Sequence, residues 1–182
     1  MTFLSPLSFG VRAGVRSMNT LVIKSNRIVL PGTITGGYLI ITNGVIADIV
    51  SHIPTDFTKL IDLGDKVLMP GVIDPHVHIN DPGRSHWEGF DTATKAALAG
   101  GITTLVDMPL NSSPVTTSVK GLQAKIAATE NKLHTNCGFW GGIVPGNENE
   151  IEGLVKKGVL GFKAFLTHSG IDDFPNVNES DL

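Results

Sequence analysis

The sequence predicts an α/β chain in two parts, a small β module over residues 20–70 and parallel βα units over residues 71–182. Three observations predict it. Short β-rich runs separated by turn dipeptides fill residues 20–70, the pattern of paired strands joined by tight turns. After residue 71, apolar β-branched runs alternate with segments of helical spacing, as parallel strands joined by crossover helices do. The composition suits a packed chain: of 182 residues, 41% are hydrophobic and 17% charged, enough to bury a core without disulfides.

Residues 1–19 are set apart as a leader. Within residues 1–47 stand Arg12, Arg16, Lys24 and Arg27 and no acid, the first carboxylate being Asp48. A Ser- and Gly-rich start with two arginines reads either as a disordered leader or as an organelle transit peptide, and no basic segment precedes a continuous apolar run as a secretory signal requires. In the β module, strands are expected at residues 21–23, 28–30, 38–42, 45–50 and 67–69. Asn43-Gly44 between the third and fourth tolerates the positive φ angles of a type I′ turn, so these two form a hairpin. Pro70-Gly71 ends the module.

The βα region opens with a strand over residues 72–78. A helix follows through Phe90, Thr94, Ala97 and Leu98, and Gly100-Gly101 stops it. Residues 102–106 form the second strand, and Val119, Leu122, Ile126 and Leu133 carry the spacing of a second helix. Residues 137–144 read as a Gly-rich third strand. Asn147 is placed to cap a third helix that Glu148 and Glu150 favour at its start and Lys156, Lys157 and Gly158 at its end. Residues 159–166 make the fourth strand, and residues 172–182 a polar tail.

A formal charge of −3 gives no electrostatic footprint for nucleic acid. No apolar run approaches the roughly 20 residues that span a bilayer. The single Cys137 excludes an internal disulfide and suits a reducing compartment.

Asp74, His76 and His78 alternate along a strand, and period-2 geometry sends all three side chains to one face. Two imidazoles two residues apart at a strand's carboxyl end can share one cation, with Asp74 able to orient a ligand from behind. Lys163 lies among Gly161, Phe162, Ala164 and Phe165, where desolvation favours the neutral amine. A neutral amine reacts with carbon dioxide to give a carbamate able to bridge metals; the alternative is a lysine paired with a carboxylate at the strand end. Cys137 reads as a small strand hydrophobe and His134 as a surface residue. His168 sits in the loop past Lys163, as a polar loop residue or a substrate contact.

Residues 72–78 (Val-Ile-Asp-Pro-His-Val-His), then Asn80-Asp81-Pro82-Gly83-Arg84 and Trp87-Glu88-Gly89, resemble the cyclic amidohydrolases, most closely their allantoinase branch. Gly100-Gly101-Ile102-Thr103-Thr104 with Asp107-Met108-Pro109 is similar to that family's second strand and loop, and Gly161-Phe162-Lys163-Ala164-Phe165 to its carbamylated-lysine strand. The resemblance spans residues 20–182.

That resemblance implies a (β/α)8 TIM-like barrel beside a small β-sandwich, with residues 71–182 supplying the first half of the barrel. It implies two zinc ions held by His-x-His, a carbamylated lysine, two later histidines and a late aspartate. Carried over, the catalytic and metal residues are His76, His78 and Lys163, with Asp74 behind them and Asn80, Arg84 and Asn111 as substrate contacts. Asn80 stands where a dihydroorotase-like member places a carboxylate-binding arginine, which suits an uncharged ureido ring. The implied reaction opens the hydantoin ring of allantoin to allantoate. A metal-bound hydroxide attacks the ring carbonyl and the late aspartate passes the proton to the leaving nitrogen. Implied partners are that small molecule and copies of the chain in a homotetramer, with no nucleic acid or membrane. The implied compartment is the cytoplasm or, with a transit peptide, the mitochondrion. A dihydropyrimidinase- or dihydroorotase-type enzyme and a noncatalytic amidohydrolase-like interaction protein are the rival readings. Since a (β/α)8 barrel takes about 250 residues, the chain is expected to be incomplete and inactive alone, with open strand edges.

Overall fold

The computed structural model describes residues 19–182, so the expected leader lies, except for Asn19, outside the described residues. The described chain forms two compact units that divide after Gly71.

The first unit is one five-stranded sheet. Strand β1 (Thr20–Leu30) is central: β2 (Thr33–Thr42) pairs antiparallel with it, β3 (Val45–Val50) pairs antiparallel with β2, and β4 (Lys59–Asp62) and β5 (Val67–Leu68) run parallel to β1. The two expected runs at residues 21–23 and 28–30 are a single strand whose register slips between Ser25 and Ile28. Ser25 holds the slip from a fully buried position: its hydroxyl donates to the Lys66 carbonyl at 2.7 Å and accepts the Arg27 N–H at 2.9 Å. Asn43 and Gly44 have φ of 53° and 83°, the positive pair a type I′ hairpin needs. Ile23, Ile28, Leu39 and Leu68 form the core, with Leu21, Ile41 and Ile49 against it.

The second unit begins with β6 (Val72–Val77), α1 (Phe90–Gly100), β7 (Ile102–Asp107), α2 (Val119–Ala128) and β8 (Asn136–Phe139). It continues with β9 (Gly141–Gly142), α3 (Glu148–Lys156) and β10 (Phe162–Lys163). Strands β6, β7 and β8 are neighbours in chain order and all parallel, and β9 pairs in parallel with β10. Trp140 separates β8 from β9, so the expected third strand is present in two pieces. This is the βα succession with which a (β/α)8 barrel starts. Helix α1 docks through Phe90, Thr94 and Ala97 and ends as expected, Gly101 taking a φ of 92°. A core of Ile79, Phe90, Ala97 and Leu105 fills the space between α1 and the sheet.

Four local expectations change. The fourth strand shrinks to Phe162–Lys163. Helix α2 ends at Ala128, leaving Ile126 and Leu133 exposed while Leu122 and Lys125 are buried. Asn147 takes the N-cap position of α3 as expected, but its side chain makes no cap bond there; it accepts the Val144 N–H and donates to the Thr117 and Gly142 carbonyls. The expected polar tail is anchored, because Phe174 and Val177 are buried and the Val177 N–H bonds the Phe165 carbonyl. Among the described residues no helix is long and apolar enough to cross a membrane.

Candidate metal centre

The end of β6 and the loop after it carry His76, His78, Asn80 and Arg84; the loop after β7 carries Asn111; β10 carries Lys163. Strand β6 does not keep strict alternation. Its pairing slips between Asp74, which is level with Leu105, and Val77, which is level with Asp107. Leu105 belongs to the core against α1, so the expected common face of Asp74, His76 and His78 breaks at Asp74. Its carboxylate bonds no imidazole; Oδ1 accepts the His76 backbone N–H at 3.1 Å.

The two imidazoles remain together, with ring centres 5.4 Å apart and planes tilted by 51°. A cation about 2 Å from a ligating nitrogen lies roughly 3 Å from the ring centre, so two rings meeting it at a tetrahedral angle stand about 5 Å apart. The observed ring separation matches that spacing. Burial, and after it the positive charges of Lys163, His76 and Lys125, hold the His78 imidazole below its usual pKa, and metals bind the neutral ring.

His76 and Lys163 line one cavity of about 450 Å³ with Pro75, Met108 and Trp140. Half-buried Lys163 has no carboxylate partner among the described residues, so the ion-paired alternative is not what the structure has. Its ammonium sits 4.8 Å from the centre of the Phe165 ring. Among the described residues no three His, Cys, Asp or Glu side chains gather as a metal cluster. Among the described residues, the donors suited to a metal at this place are the two histidines.

The expected substrate contacts separate. Asn111, in a left-handed conformation with φ of 74°, places its amide 3.4 Å from His78 Nδ1. The atom facing the ring is Nδ2, which donates to Nδ1 in the Nε2-protonated tautomer. Arg84 is engaged with protein: Nη1 donates to the Asn111 carbonyl at 3.1 Å, Nη2 lies 3.8 Å from Asp173, and the guanidinium stacks 5.5 Å from the Trp87 ring centre. It ties the two loops beside His78. At Gly83, with φ of 92°, a Cβ would come within 2.6 Å of the Ser113 carbonyl, so the loops close only over glycine. Asn80 is buried, its backbone bonded to Glu88 and Arg84. His134 bonds Asp91 at 2.9 Å, and His168 accepts the Gly170 N–H within its own loop. Burial pushes the Cys137 thiol up to about 12, which makes it unreactive.

Sequence reasoning missed a buried ion pair. Lys125 Nζ lies 2.6 Å from Asp107 Oδ2 and 2.8 Å from the Met108 carbonyl, and both side chains have no exposed surface. The signal was an aspartate ending an apolar strand, which calls for a partner.

Residues 67–175 match the amidohydrolase family. The allantoinase of Streptomyces avermitilis is 49% identical over 165 residues, covering 89% of this chain and 37% of the relative. That of Arabidopsis thaliana is 51% identical over 164 residues, covering 86% and 32%. The L-hydantoinase (dihydropyrimidinase) of Arthrobacter aurescens superposes with a TM-score of 0.83 at 30% identity, covering 91% of this chain and 37% of that structure. The chain spans about a third of the length of these relatives.

Proposed function

Because the chain belongs to the amidohydrolase family, we propose that its second unit carries metal ligands of an allantoinase, the hydrolase that opens the hydantoin ring of allantoin to allantoate. The observation that carries this reading is the gathering, at the ends of parallel strands, of His76, His78 and a lysine with no carboxylate partner among the described residues. His76 and His78 hold one zinc. Lys163, converted by carbon dioxide to a carbamate with loss of an N–H proton to solvent, would supply a carboxylate ligand for a second zinc. When bound, zinc brings the pKa of its water to about 7 and polarises the ring carbonyl. The chain's own residues supply placement: Asn111 orients the His78 ring, and Arg84 and Gly83 hold the two loops together beside it. Neutral Asn80, in place of a cation, accords with an uncharged ureido substrate. The same reading carries a homotetrameric assembly.

The test is metal analysis of the chain prepared with zinc and bicarbonate, together with an assay of allantoate release with and without chelator. Zinc retained by this chain and lost in His76→Ala and His78→Ala, with chelator-sensitive allantoate release from a version with the barrel completed, is the expected result. The absence of both zinc and release would overturn the proposal. Release from dihydropyrimidines rather than allantoin would favour the hydantoinase-type reading that the Arthrobacter aurescens structure supports. Zinc without turnover of either substrate would favour the noncatalytic one, which accords with the small donor set among the described residues.

A further inference from the structure

The mechanism above makes no use of the buried Asp107–Lys125 pair, and its position is informative. Asp107 ends β7 and Lys125 lies on α2, both fully buried. Desolvating two charges tends to offset their attraction, so apolar residues of similar volume are often as stable or more so. The pair's other contacts indicate what it adds. Asp107 Oδ1 accepts the Ile79 N–H at 2.7 Å, and Ile79 is the residue directly after His78. One residue on, the Met108 N–H donates to the Val77 carbonyl at 2.8 Å, directly before His78. The His78 backbone is thus held on both sides by the end of β7. Lys125, bonded to Asp107 Oδ2 and to the Met108 carbonyl, fixes both of those residues to α2.

We propose that Asp107, anchored by Lys125, is the positioning residue that sets the His78 imidazole for metal binding. This inference rests on the reading of His78 as a ligand. Removing Asp107 alone would strand a buried ammonium and risk unfolding, so the test compares two double variants in the full chain. Asp107→Leu/Lys125→Met removes the charges and the Ile79 bond together. Asp107→Asn/Lys125→Met removes the charges and keeps an amide oxygen that accepts the Ile79 N–H.

Both variants are expected to melt cooperatively near the parent. The Leu/Met variant should lose 10- to 100-fold in zinc affinity, the range for losing an outer partner of a metal ligand, while the Asn/Met variant stays within a few fold of the parent. Equal zinc affinity in all three would overturn the proposal, as would equal loss in both doubles. A parent that binds no zinc fails the ligand reading instead. Positioning is then read from nuclear magnetic relaxation of the His78 ring: greater ring mobility in the Leu/Met variant alone supports it, and unchanged mobility overturns it.

Discussion

Lys163 shows how a single residue can be readable in type and opaque in state. A lysine in an apolar strand signals an unusual amine, but whether an acid neutralises it depends on distant residues that no local pattern specifies. Among the described residues, the structure supplies an aromatic face and no carboxylate. A half-buried ammonium over a ring gains about 1 kcal/mol or less, so Lys163→Met should move the melting temperature by no more than about 4 °C while removing the second zinc and leaving the one held by His76 and His78. A much larger drop would mark Lys163 as structural. Asp107 carries a pH signature. Burial raises its carboxyl to about 6, above the ordinary 3.8. The folded state therefore binds more protons than the unfolded one between those values. The stabilisation linked to that proton is complete below about pH 4 and lost as pH rises through 6. Urea midpoints of the parent minus those of Asp107→Asn/Lys125→Met should fall across this window; a flat difference would contradict the assignment.

At the scale of elements, the order of strands and helices was legible because two periodicities, 2 and 3.6, alternate cleanly after residue 71. Which helix face is buried was less so. Leu122 and Ile126 share the helical spacing, yet Leu122 is buried and Ile126 is 45% exposed, because the inward position between them is filled by Lys125. A charged residue at a core position hides the face from any apolar count. Leu122→Ala is expected to cost about 2–5 kcal/mol and Ile126→Ala within about 1 kcal/mol, as read from urea unfolding. Helix ends show the same limit: Glu150 of α3 accepts the Val119 N–H that opens α2 at 2.8 Å, a service to a neighbouring helix that local end signals do not register. The His-x-His motif was visible as spacing, whereas the slip that detaches Asp74 from it arises from pairing with β7.

For the whole molecule, the described chain divides into two compact units after residue 71. Among the described residues, β6 has β7 as its one strand neighbour and β10 has β9. Ile73, Leu160 and Leu166 are 62%, 63% and 77% exposed. Open edges beside apolar side chains favour association, so sedimentation should show concentration-dependent self-association of the chain, and Ile73→Lys should weaken it. No change on that substitution would place the contact elsewhere. Trp140 adds a consequence of an optical kind. Its indole N–H is bonded to the Pro75 carbonyl at 2.9 Å, and its ring walls the cavity shared by His76 and Lys163, whereas the chain's other tryptophan, Trp87, is 64% exposed. Emission from Trp140 is therefore a native gauge of whatever fills that cavity, and Trp87→Phe isolates it without a dye or label.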